Sequence, residues 1–165
     1  MTSSILILIF LVLLLAWYLS FLAGRLDRLH HRVETSWEHL DALLQRRAAI
    51  ALEISHSESL DPATGMLLTA AAYQAREANI IERSEAESSL SESLRFISKE
   101  QDTGINRSLL DELSRITEKI ALAITIHLEA VNSARSLRNK LIFRIFRLAG
   151  HAPLPVRYSF EDDIL

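Results

Sequence analysis

The stretch ILILIFLVLLLAWYLSFLA, residues 5 to 23, is one unbroken apolar run whose only polar side chain besides the ring tips is Ser20, and no charge precedes Arg25. About 20 apolar residues at 1.5 Å rise per residue cross the roughly 30 Å hydrocarbon core of a bilayer. Only a helix satisfies its own backbone polar groups there, so the run is expected to be a transmembrane helix. A cleaved secretory leader requires a cationic start, a shorter apolar core and a small-x-small exit site. Met1 to Ser4 carry no charged side chain, and a cut after Ala23 would put Phe21 where a small residue belongs. Trp17 and Tyr18 suit the headgroup zone, and Arg25, Arg28 and Arg32 follow directly. A basic flank is a cytoplasmic flank, so the expected localisation is the cell membrane, single-pass, with a short N-terminus outside (1–4), a span over 5–24 and the rest in the cytoplasm.

Removing residues 1–24 leaves 141 of the 165, enough for one domain with its own core. That part holds all 18 Lys and Arg and all 21 Asp and Glu, a mixed balance that argues against nucleic acid as partner. There is no cysteine, which excludes disulfides and thiolate chemistry. Leu, Ala, Glu, Arg and Ser dominate, with little Val, and that composition favours helix.

From Leu26 to Ile54 the apolar positions recur at helical period: Leu26, Leu29, Val33, Trp37, Leu40, Leu44, Ala51 and Ile54, widened by Leu43 and Ile50. The helix is thus expected to continue straight out of the span, with Gly24 as the one place it could bend. His56 to Leu60 reads as a turn, and Asp61-Pro62 as an N-cap with proline at the first helical position. The second helix carries Met66, Leu67, Ala70, Tyr73, Ala78 and Ile81 as its expected apolar face. A capping box at Ser84 to Glu87 allows a break near 80–84. Ala86, Leu90, Leu94 and Ile97 form the next face, followed by a loop over 100–106. The last helix is expected over 107–148, with Leu110, Leu113, Ile116, Ile120, Ile124, His127, Val131, Leu137, Leu141, Ile145 and Leu148 on one face. The seven-residue spacing 113, 120, 127, 134, 141 and 148 suits left-handed, coiled-coil-like antiparallel packing. The fold class expected is therefore all-α: a transmembrane helix, then an antiparallel up-and-down bundle of three to four long helices over 25–149, then an extended tail of proline, aromatic and acidic residues over 150–165.

Three stretches resemble the LemA family of bacterial membrane proteins. Arg32-Val33-Glu34-x-x-Trp37-x-x-Leu40-Asp41-x-Leu43-Leu44-Gln45-Arg46-Arg47 looks like that family's signature after its anchor. Glu87-Ser88-x-Leu90-Ser91-x-x-Leu94 and Glu118-Lys119-Ile120-Ala121 are similar to its middle and last helices. Leu148-Ala149-Gly150-His151-Ala152-Pro153-Leu154-Pro155 resembles the ending of an actinobacterial subset. The chain departs from the family where Ala48 to Leu52 replace a Pro-Asn break, and at Ile124 and Leu128, where Arg and Asn are usual. The resemblance implies a single-pass protein with a helical bundle and supplies no reaction.

Residue chemistry points the same way. Glu53-x-x-His56 has the spacing used in di-iron bundles, but the motif occurs once and lacks the other inward carboxylates. His30, His31 and His39 have no HExxH spacing, and the serines between Ser84 and Ser98 lie in no GxSxG, SxxK or phosphate-loop pattern. No cofactor, metal or catalytic residue is expected, and the chain is read as a non-enzyme. His127 is expected in the core. Arg46, Arg47, Arg144 and Arg147 are the candidate partner-docking residues, the last two within the alternating basic and bulky segment from Lys140 to Arg147, which is patterned like an interfacial helix. In a three-helix arrangement that segment would end about 50–60 Å from the bilayer, whereas a break near 80–84 would bring it back. The function expected is an interaction or scaffolding module near the inner leaflet, its partners the bilayer, an unknown membrane or cytoplasmic protein, or a second copy. The alternative is a ligand- or metal-binding bundle with sensory or enzymatic activity.

Overall fold

The computed structural model describes residues 2–79, 82–99 and 106–138. Among them the chain is all-α, with four helices and no strand: α1 (Thr2–Ser55), α2 (Pro62–Glu77), α3 (Arg83–Lys99) and α4 (Arg107–Arg138). The chain divides into two compact units, one containing residues up to Thr35 together with those from Glu129, the other containing Ser36–Leu128.

In the first unit, α1 carries the apolar run, and it is long and apolar enough to cross a membrane. The side chains from Ile5 to Leu15 stand exposed on every side of the helix, with Trp17 and Phe21 stacked at 6.4 Å between ring centroids. A helix apolar all round has the pattern of a membrane span or of a helix buried on every side. Below it the covering changes: Leu22, Leu26 and Leu137 bury one another, with Leu29 packed against them. Arg32 and Glu129 lie 3.9 Å apart on the surface. Rising numbers on α1 thus meet falling numbers on α4, so this pair is antiparallel. The end of α4 lies beside the last residues of the apolar run.

In the second unit, large side chains from α1, α3 and α4 fill a common core with Leu68 and several alanines from α2. Leu40, Leu44, Ile50, Ile54, Leu68, Leu90 and Ile120 are fully buried, each worth about 1.5–3 kcal/mol of apolar transfer. Ile124 is buried in this core and Leu128 packs against it. Cross-helix bonds give the directions. Gln45 donates to the Arg76 carbonyl at 3.1 Å while Thr69 donates to Ser55 at 2.9 Å, which makes α1 and α2 antiparallel. Arg83 pairs with Asp41 and Glu87 with Arg47, which makes α1 and α3 parallel. Ser36 meets His127 and Arg46 meets Glu112, so α4 runs opposite to α1. The order is up, down, up, down. This is the four-helix alternative, because the chain does break between α2 and α3.

Helix ends follow their local chemistry. Asp61 accepts from the Thr64 amide at 3.1 Å ahead of Pro62, as the sequence predicts. The cap before α3 differs from expectation. Asn79 Oδ1 accepts from the Glu82 amide at 3.1 Å, and the Asn79 side-chain amide donates to the Glu82 carboxylate at 2.8 Å. Glu87, expected to reach back to Ser84, instead turns into the core.

A second correction concerns α2. Its buried face is Gly65, Leu68, Ala71, Ala72 and Ala75, whereas the expected core residues Met66, Leu67 and Tyr73 are exposed; Ile81 lies outside the described residues. At the start of this face the approach is close: a Cβ on Gly65 would stand 2.9 Å from the Ser55 carbonyl oxygen, so that position takes glycine, while Leu68 one turn on reaches into the core. Gly65→Ala should therefore lower the stability of the detergent-solubilised chain by about 1–3 kcal/mol, the usual cost of overpacking, read as a shift in its urea midpoint. Gly24→Ala is the control: a Cβ there meets nothing within 4 Å, so removing a helix-interior glycine should leave the midpoint unchanged or raise it.

Candidate functional site

Two charges of opposite sign occupy core positions on facing helices. Arg47 follows Leu40 and Leu44 along the inner stripe of α1 and is 2% exposed; Glu87, one turn before Ser91 on α3, is 0% exposed. Arg47 Nη2 donates to Glu87 Oε2 at 2.6 Å, to the Glu87 carbonyl at 3.3 Å and to Ser91 Oγ at 3.2 Å. One turn away, the Arg83 guanidinium pairs with Asp41 at 2.6 Å and donates to the Ala75 carbonyl at 2.9 Å. That carbonyl belongs to the last turn of α2, where helix oxygens lack amide partners and attract cations. The four charges alternate and tie α1, α2 and α3 together.

Burial pushes the Glu87 carboxyl above its ordinary range; Arg47 and then Arg83 pull it back, and Asp41 adds to the rise. Glu87 Oε1 and the Nε atoms of Arg47 and Arg83 are buried and make no hydrogen bond with the protein. Ion pairs of this kind fix which helix faces meet more than they add net stability, because desolvation offsets much of the attraction.

Arg47, a candidate docking residue from the sequence, is thus inside the bundle and committed to Glu87. Arg46 is on the surface, where Nε and Nη2 both donate to Glu112 Oε1, at 3.1 and 2.5 Å, a contact that raises its basicity further. Arg144 and Arg147 lie outside the described residues. The spacing of the α1 stripe could have revealed Arg47, since the inner positions 40, 44, 47, 51 and 54 include it, as the α3 positions 83, 87, 90, 94 and 97 include Arg83 and Glu87.

His127 sits where the apolar face of α4 predicts, 2% exposed, with Nδ1 at 2.9 Å from Ser36 Oγ and its ring tilted 54° to Trp37 at 5.7 Å. Burial holds this imidazole below its ordinary range. His56 Nδ1 lies 2.6 Å from the Leu52 carbonyl, which occupies it at the end of α1. Among the described residues no group of three or more His, Cys, Asp or Glu is placed to hold a metal ion.

The outer face of α2 leaves apolar side chains exposed. Met66 is 75% exposed, Leu67 60% and Tyr73 49%, with Met66, Ala70 and Tyr73 in line at helical spacing. Leu122 and Ile126 on α4 and Phe96 on α3 are also exposed. The site elements are therefore a closed set of buried charges and open apolar helix faces. No protein-family model matches the chain, and no curated protein or solved structure is significantly similar to it.

Proposed function

We propose that the chain is a bitopic membrane protein of a bacterial inner membrane, of the kind the LemA resemblance implies, whose helical bundle lies on the cytoplasmic side and works by binding other proteins rather than by catalysis. The observation that carries this reading is the outer face of α2, where Met66, Leu67 and Tyr73 are exposed while Gly65, Leu68 and three alanines fill the core side. Large apolar groups arranged at helical spacing cost solubility unless a partner covers them. The orientation rests on Arg25, Arg28 and Arg32 directly after the apolar run.

The competing reading, a ligand- or metal-binding bundle, has the buried charges as its support. They favour it little, because each carboxylate already faces a guanidinium. A cofactor retained through purification of the full chain would decide for that reading.

The test is photocrosslinking in native membranes with a benzophenone amino acid at Met66 or Tyr73. The expected result is a discrete adduct that disappears when Leu67→Glu is added, with helical content unchanged. An adduct between two differently tagged copies assigns the face to self-association. Absence of any adduct at both positions overturns the reading.

A further inference from the structure

The end of the apolar run gathers positive charge that the protein leaves unmatched. Arg25 and Arg28 stand on α1, the same unbroken helix that carries residues 5 to 23. Their Cα atoms therefore lie about 3 and 7.5 Å beyond Ala23 along its axis, at 1.5 Å per residue. Both are exposed. Arg32, Arg46, Arg47 and Arg83 each have a carboxylate oxygen within 3.9 Å, at Glu129, Glu112, Glu87 and Asp41. Among the described residues Arg25 and Arg28 have no such partner. No Asp or Glu lies three or four residues from either one, and the two are each other's neighbours at that spacing, an arrangement that repels. Asp27, the nearest acid in sequence, is about 100° round the helix from Arg28 and about 160° from Arg25.

Aromatic rings stand on the same side of α1. Trp17, Phe21, Gly24 and Arg28 recur at spacings of four, three and four, which keeps them on one face. That face is about 150° round the helix from Leu22 and Leu26, which pack on Leu137. Trp17 is 70% exposed and Phe21 55%, and their rings stack. A Cβ on Gly24 would meet nothing within 4 Å, so the backbone between the rings and the cations is open. We infer that Arg25 and Arg28 hold the phosphate of an anionic phospholipid, with its glycerol against Gly24 and an acyl chain along Phe21 and Trp17; this rests on the apolar run being a transmembrane helix. A net negative headgroup removes the repulsion between the two guanidiniums, and their planar N–H forks match phosphate oxygens. A zwitterionic headgroup brings its own cation and competes poorly. Each base held at an anionic headgroup contributes about fivefold in affinity, so the two together contribute about 25-fold.

Trp17 can report its own contact lipids, because bromine on an acyl chain quenches an indole that touches it. The full chain, reconstituted in phosphatidylcholine vesicles, would be compared with its Trp17→Phe variant, so that the difference in emission separates Trp17 from Trp37, the other tryptophan. A minor share of the lipid would then be replaced by phosphatidylglycerol or by phosphatidylcholine with brominated chains. The expected result is a relative binding constant at Trp17 about 25-fold in favour of phosphatidylglycerol. It should fall about fivefold with Arg25→Gln or with Arg28→Gln, and to equality when both are made or when the salt is high. Equal quenching by the two lipids in the unaltered chain at low salt overturns the site and leaves the transmembrane reading standing. If brominated phosphatidylcholine as the sole lipid leaves Trp17 unquenched, both fall. A preference that survives the double variant overturns the assignment to Arg25 and Arg28.

Discussion

Replacing Glu87 with Leu should cost the folded bundle about 3–5 kcal/mol, and replacing Arg47 with Met about the same, because either change leaves the opposite charge buried without a counter-ion. Domains of this size are stable by only about 5–15 kcal/mol, so each single variant should approach the limit of folding. The thermal midpoint of the detergent-solubilised chain should fall by at least about 12 °C, taking about 4 °C per kcal/mol as the lower figure for a domain of roughly 100 residues. The double variant Arg47→Met with Glu87→Leu should recover most of that loss, since two apolar groups of similar size need no desolvation. Arg46→Met provides the surface comparison: its contact with Glu112 is open to water and salt, and no resolvable change is expected. If the single variants at Arg47 and Glu87 melt like the Arg46 variant, or if the double variant is as damaged as the sum of the singles, the buried pair does not hold α1 to α3.

The pair also explains which parts of the fold were legible in the sequence. The inner stripes of α1, α3 and, from Leu113 to Leu137, of α4 were, because Leu, Ile and Trp recur there at helical spacing and their size leaves one way to bury them, although Leu110 on the expected α4 face is exposed and Leu141, Ile145 and Leu148 lie outside the described residues; His127 was placed correctly on that basis. The class and the Asp61-Pro62 helix start followed from equally local signals. On α2 the same rule failed. That helix has an apolar group on nearly every side, and a reading weighted by size selects Met66, Leu67 and Tyr73, whereas the buried face starts at the close contact of Gly65 with Ser55 and continues through Leu68. Proximity between two helices is a tertiary quantity and leaves no mark in the period of one of them.

The charged residues misled for a related reason. Arg46 and Arg47 look alike in sequence, yet one helical step of 100° separates a solvated position from an inner one. Glu87 fits a capping box with Ser84 as well as it fits the core register. Asn79 accepts from the Glu82 amide slightly earlier, while Glu87 meets Arg47. Two local signals competed, and the ion pair across the core decided between them. Arg47, expected at the surface as a docking residue, was turned inward in the same way.

Acidification should separate the two buried titratable groups by the sign of their effects. Burial lowers the pKa of His127 in the folded chain, against an ordinary value of 6.5. As the pH falls through about 6.5, the unfolded chain takes up a proton that the folded chain refuses, so the unfolded state binds more protons and stability drops. Glu87 acts the other way. Its folded pKa lies above the ordinary 4.5, so its contribution favours the folded state fully below 4.5 and is lost as the pH rises through the folded value. The thermal midpoint should therefore decline between about pH 7.5 and 5.5 and decline less steeply below that, as Glu87 takes up its proton in the folded state first. His127→Gln, which keeps a polar group beside Ser36 but cannot titrate, should flatten the upper limb. The double variant Arg47→Met with Glu87→Leu should keep the upper limb and steepen the lower one. An upper limb that survives His127→Gln unchanged would assign the acid sensitivity to other groups and remove the buried imidazole as its cause.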